Sequence, residues 1–170
     1  MIQTYFGNGK GKTTAAVGAA VRCAGCDGKV LFVQFLKNND SGEFVFLKPD
    51  CGIDVIYSKE CYNLYDNMNS ERFTSLTAAY NTLLFDEVAE KSNSYDMIIL
   101  DEMLDVIDFG YVNEDDFLQL LNILKQSSEI ILTGHSVTEK IVGVSDYVSE
   151  VKEIKHPYNK GFLPRKGIEF

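Results

Sequence analysis

Short, continuous apolar runs alternate along this chain with longer stretches in which apolar residues recur every three or four positions. The runs at 2–6, 30–35, 54–57, 97–100, 130–132 and 147–151, rich in Val, Ile, Phe and Tyr, predict strands. Val30-Leu31-Phe32-Val33 and Met97-Ile98-Ile99-Leu100 carry no polar alternation at all, which predicts central parallel strands covered on both faces. The intervening stretches predict helices: one ending near Ala24, then 71–91, 114–125 and 137–142. Two have start signals, Asn113 ahead of Glu114-Asp115-Asp116 and the capping box Ser136-Val137-Thr138-Glu139. Strand and helix in alternation predict an α/β domain spanning 1–170, with no repeat, low-complexity segment or linker. The stretch 58–69 reads as a long loop rich in Tyr and Asn, a length usually kept for function.

The first strand runs into Gly7-Asn8-Gly9-Lys10-Gly11-Lys12-Thr13-Thr14 and then the small-residue helix Ala15-Ala16-Val17-Gly18-Ala19-Ala20-Val21. Strand, glycine loop, Gly-Lys-Thr and helix is the arrangement of a P-loop. Glycines let backbone N–H groups close around phosphate oxygens, and the helix N-terminus adds the positive end of its dipole. Lys12 adds a point charge, and the Thr13 hydroxyl suits Mg²⁺ or Mn²⁺. The strict pattern has its first glycine where this chain has Phe6, so Gly7 and Gly9 must supply the backbone freedom. The chain is therefore expected to bind a nucleoside triphosphate. The expected fold is a RecA-like P-loop NTPase: a three-layer α/β/α sandwich around a mainly parallel sheet of about six strands.

Composition narrows the partners. A net charge of −9, with arginine only at 22, 72 and 165, argues against a nucleic-acid surface. No apolar run approaches the roughly 20 residues of a membrane span. The strand at the very start leaves no place for a leader, so a cytoplasmic protein is expected. Cys23, Cys26, Cys51 and Cys61 read as reduced thiols. Cys23-Ala24-Gly25-Cys26 has redox spacing but falls at the C-terminal end of a helix, where the dipole disfavours thiolate; buried small residues are expected there. Metal binding at the cysteines would need further ligands, and the chain has only His135 and His156.

In parallel sheets, ligands gather at the carboxyl ends of the strands. Asp101-Glu102 closes the run at 97–100, the place of a Walker B acid that holds Mg²⁺ directly or through water. Gln34-Phe35-Leu36-Lys37 and Thr133-Gly134-His135-Ser136 end two further strands, and His135 is a candidate phosphate contact. The guanine-reading Asn-Lys-x-Asp of a GTPase is missing, since Asn159-Lys160 leads into Gly161-Phe162. A RecA-like ATPase, with Glu102 polarising water, and an ATP-dependent binding or regulatory module both fit these motifs.

The order of motifs carries one further step. The P-loop, Val33-Gln34-Phe35-Leu36-Lys37, Leu100-Asp101-Glu102, Leu132-Thr133-Gly134 and the closing Lys155-His156-Pro157-Tyr158 … Arg165-Lys166-Gly167-Ile168-Glu169-Phe170 together resemble the ATP:corrinoid adenosyltransferases of the CobA/BtuR/CobO type. The likeness spans nearly the whole chain, and that family also lacks the first glycine. It implies attack of Co(I) of a reduced corrinoid on the 5′-carbon of ATP, with release of triphosphate. It also implies a homodimer and an electron donor that reduces cobalt. Lys12, Thr13 and Glu102 become the expected catalytic residues, and Thr13, Asp101 and Glu102 the expected metal ligands. Arg22 falls at a nucleotide-contacting arginine of the family, while His135 stands where the family usually carries arginine. The corrinoid-facing aromatics fall at Cys61-Tyr62-Asn63-Leu64-Tyr65, making Tyr62 and Tyr65 candidates. The family often carries an N-terminal extension over the site, and this sequence starts at its first strand.

Overall fold

A computed structural model describes residues 1–37, 42–47, 51–58, 60, 69–157, 161, 163 and 165–168, with the backbone alone at 44 and 45. Six parallel strands form one sheet: β1 (Ile2–Phe6), β2 (Val30–Gln34), β3 (Ile53–Tyr57), β4 (Met97–Asp101), β5 (Glu129–Gly134) and β6 (Tyr147–Glu150), in the order β3-β2-β4-β5-β1-β6. β2 and β4 are buried at every residue, as their unbroken apolar runs require, whereas the edge strand β6 is exposed throughout.

Alternate residues of the central strands feed two cores. Leu31, Val33, Ile98, Leu100, Ile130 and Leu132 pack on one face with α3 (Ser70–Asn81), α5 (Met103–Asp108), α6 (Glu114–Leu124) and α7 (Glu139–Val144). Val30, Phe32, Ile99 and Ile131 pack on the other with α1 (Lys12–Ala24) and with Leu47, just beyond the short α2 (Gly42–Phe46). Ala16 and Ala20 are fully buried on α1, and side chains that small let the helix axis approach the sheet closely. The three-layer α/β/α sandwich is thus present, its sheet wholly parallel.

Several local expectations are revised. The stretch 71–91 is no uniform helix: α3 widens into a π-helical segment, Thr82–Val88, and closes with α4 (Ala89–Lys91). At that junction the Asn81 side-chain amide donates to the carbonyls of Thr77 (2.7 Å) and Tyr111 (2.8 Å). Asn113 caps α6 as expected, accepting from the backbone N–H of Asp115 and Asp116. α7 starts later than the capping box suggested: Thr138, not Ser136, is the cap, and it accepts from Ile141 N–H. Both α2 and α5 are too short to show a helical period in sequence. Cys23, Cys26 and Cys51 are free thiols; of the pair expected to be buried, Cys23 is half-buried and Cys26 exposed, and burial pushes the Cys23 thiol up.

Candidate functional site

The carboxyl ends of β1, β2, β4 and β5 converge on a pocket of about 460 Å³ above the loop between β1 and α1. Chain close to the loop explains where its glycines stand. Gly9 N–H donates to the Val151 carbonyl (2.8 Å), and Val151 N–H donates to Phe6 (2.7 Å). A Cβ on Gly7 or Gly9 would lie 2.5 or 2.7 Å from that Val151 oxygen, and Gly7 also has φ +117°. Glycine is demanded at these two positions, while Phe6 packs against the core.

Gly11, at φ +118°, caps α1 and opens its N-terminus to the pocket. Lys12 folds back into the loop, donating from Nζ to the carbonyls of Gly7 (2.6 Å) and Gly9 (3.1 Å). Burial pulls its ammonium below the usual lysine range; Glu102 and Asp105 oppose that, and Lys37 adds to it. Thr13 Oγ1 donates to Asp101 Oδ1 (2.9 Å), and Thr133 Oγ1 donates to the same oxygen (2.7 Å). Thr133 in turn accepts from Glu102 N–H (2.8 Å), so β4, β5 and α1 are tied at one fully buried carboxylate.

A cation bridges this cluster. Lys37 Nζ lies 3.1 Å from Thr13 Oγ1, 3.0 Å from Asp101 Oδ2 and 2.7 Å from Glu102 Oε1. Burial alone would lower the Lys37 pKa, but the two carboxylates and the hydrogen bonds they accept outweigh it and hold it above the ordinary range. One hydroxyl and two carboxylates around a positive charge make an all-oxygen donor set, which suits Mg²⁺ or Mn²⁺. Beside it, Asp105 on α5 accepts from His135 N–H (3.1 Å) and pairs with His135 Nδ1 (3.1 Å). Glu102, Asp105 and His135 offer ligand atoms within 4.8 Å of one another, a second group able to hold a divalent ion. The pocket thus pairs a helix N-terminus and lysines, which favour a polyphosphate, with oxygen donors for its counter-ion.

The whole chain, residues 1–170, matches the family described as ATP:corrinoid adenosyltransferase BtuR/CobO/CobP. This chain belongs to that family. It is 32% identical over 171 residues to the corrinoid adenosyltransferase of Escherichia coli K12, covering all of this chain and 85% of the relative. Corrinoid adenosyltransferase CobA of Salmonella typhimurium is 30% identical over 175 residues, with the same coverage. In fold, the chain resembles the flagellar accessory protein FlaH from Methanocaldococcus jannaschii, with a TM-score of 0.55 at 18% identity, over 88% of this chain and 69% of that one.

In this corrinoid adenosyltransferase family member, Gly9, Lys10, Gly11, Lys12, Thr13, Thr14, Glu102 and His135 all line the pocket. Gly7 and Asn8 shape the loop from behind, Gly7 through its carbonyl on Lys12 and Asn8 through Oδ1, which accepts from Glu153 N–H (3.0 Å). Asp101 lies beneath the pocket, behind Thr13. Arg22 is exposed in the last turn of α1, about 15 Å along the helix from Lys12, and is not among the lining residues. Tyr62 and Tyr65 lie outside the described residues. The structure adds Gln34, Lys37, Glu43 and Ile168 to the lining, and Lys10 Nζ donates to the Ile168 carbonyl (2.9 Å). Asp105 was invisible in sequence because α5 was. Lys37 had a signal, its place after a strand end, but nothing local connects it with Asp101, which lies 64 residues further along the chain.

Proposed function

We propose that this chain transfers the 5′-deoxyadenosyl group of ATP to the Co(I) centre of a reduced corrinoid and releases triphosphate. Membership of the family supports the reaction, and the observation that carries it to this site is the pocket built on Lys12, Thr13 and the N-terminus of α1. The cobalt electron pair forms the bond to the 5′-carbon, and the C5′–O pair leaves with the triphosphate. The substrate metal is the nucleophile, so no serine, cysteine or histidine nucleophile and no general base is needed. What the protein must do is hold the 5′-carbon in line and stabilise charge growing on the leaving group. The loop amides and Lys12 face that charge. Lys12 must exchange the Gly7 and Gly9 carbonyls for phosphate oxygens, an exchange favoured by bringing a buried cation an anionic partner. Thr13, Asp101 and Glu102 are the residues that would hold a Mg²⁺ or Mn²⁺, which when bound neutralises phosphate charge.

A cytoplasmic homodimer, supplied with electrons by a separate donor, belongs to the same reading. An anaerobic assay with ATP, Mg²⁺ and chemically reduced cob(I)alamin tests it. The expected result is a light-sensitive adenosylated corrinoid and intact triphosphate. Inorganic phosphate released without any change in the corrinoid spectrum would instead mean an ATPase. In the same assay Lys12→Ala is expected to lose both ATP binding and turnover while its circular dichroism stays native. Turnover at the wild-type rate would remove the loop from the mechanism.

A further inference from the structure

Gln34, the last residue of β2, carries a buried polar atom without a partner among the described residues: its Nε2 makes no hydrogen bond to any of them, and the residue is 1% exposed. A donor enclosed in this way has given up its water and received nothing in return, which is destabilising in the ligand-free protein. Its neighbours at the same end of the sheet are bonded: Asp101 accepts from Thr13 and Thr133, and Lys37 bridges Asp101 and Glu102.

Register shows where the amide faces. Gln34 pairs with Asp101 across β2 and β4, and paired residues of neighbouring strands project to the same face of a sheet. Phe32 and Ile99, two residues earlier on each strand, pack with Ala16 and Ala20 of α1, and Asp101 reaches Thr13 at the start of that helix. Gln34 therefore projects to the P-loop side, where it lines the pocket with Gly11, Lys12, Thr13, Lys37 and Glu102. An apolar side chain of equal length would fill this place without the penalty.

We propose that the Gln34 carboxamide is a polyphosphate-binding group whose Nε2 donates to an oxygen of the bound triphosphate chain. This rests on the nucleotide-binding reading above. The carboxamide supplies a neutral donor among lysines, so it holds one phosphate oxygen by direction as well as by charge. It is a binding and positioning group for the leaving triphosphate, and its amide is satisfied only when that chain is present.

A group unpaired in the free state and paired in the bound state has opposite effects in the two, and this separates the proposal from a structural role. Gln34→Met is expected to melt at or above the wild-type temperature without ligand. It is also expected to bind ATP and inorganic triphosphate about ten- to a hundredfold more weakly by calorimetry, the range of a hydrogen bond to a charged group. Gln34→Glu, which replaces the donor with an acceptor, should bind both more weakly still. A Met variant that melts well below wild type yet keeps wild-type affinity would overturn the proposal, as would wild-type affinity in Gln34→Glu. A loss confined to ATP and absent with triphosphate would place the contact on the nucleoside and overturn the assignment to phosphate. Wild-type protein that binds neither ligand would remove the nucleotide reading and this inference together. Wild-type binding with unaltered variants would remove this inference alone.

Discussion

At the scale of single residues, the site is an arrangement of paired charges in place before any ligand arrives. Asp101 is fully buried, Glu102 sits at φ +63°, and Lys37 pairs with both. Losing that lysine would leave the two carboxylates without the cation that pairs directly with both. Lys37→Met is expected to lower stability by about 1–3 kcal/mol, less than for a fully buried pair because the lysine side chain is 34% exposed. Added Mg²⁺ should restore part of the loss, which denaturant titration with and without the ion would measure. The pH dependence follows from the raised Lys37 pKa. A lysine held above its unfolded value contributes fully below that value, about 10.4, and loses the contribution as pH rises through its folded pKa. The wild-type advantage over Lys37→Met should therefore be level from pH 6 to 9 and shrink only in strong alkali. P-loop residues were legible in sequence because their chemistry is contiguous: Gly11, Lys12 and Thr13 act within one turn of chain. The strand-end place of Gln34 and Lys37 was legible too, but not their roles, and Asp105 was not legible at all, because each acquires its role from a partner on another strand or helix.

At the scale of elements, hydrophobic runs located the six strands of the described residues, and the differences lie at their ends. β5 extends to Gly134, beyond its apolar run, because Thr133 and Gly134 continue the ladder beside Tyr5 and Phe6 of β1. Gly134 must be glycine, since a Cβ there would lie 2.5 Å from the Leu104 Cβ. α7 illustrates how local signals compete. Ser136 and Thr138 can both cap, and the second does so because it keeps extended torsions directly before the helix that begins at Glu139. Paired substitutions would show it in thermal melts: Thr138→Ala should cost about 1 kcal/mol, as should Asn113→Ala on α6, while Ser136→Ala should change little. A Ser136→Ala loss equal to that of Thr138→Ala would restore the earlier start.

At the scale of the whole molecule, one sheet supplies both cores, so neither face can lose its packing without exposing strands shared with the other. Unfolding should therefore be a single transition, with near- and far-ultraviolet signals coincident. ATP at a hundredfold excess over its dissociation constant should raise stability by about 2.7 kcal/mol in the wild type and leave Lys12→Ala unmoved. The sequence by itself determined the alternation of strand and helix, the P-loop and the acidic strand end, because burial periodicity and phosphate-binding backbone are properties of contiguous chain. Only the tertiary structure decided the strand order β3-β2-β4-β5-β1-β6, and with it which strand ends share a pocket. That order brings Gln34 beside Asp101, Lys37 onto both acids and His135 onto Asp105, pairs made by the register of separate strands and the packing of separate helices. Such contacts depend on the free energy of the whole packed sheet, which no local pattern encodes.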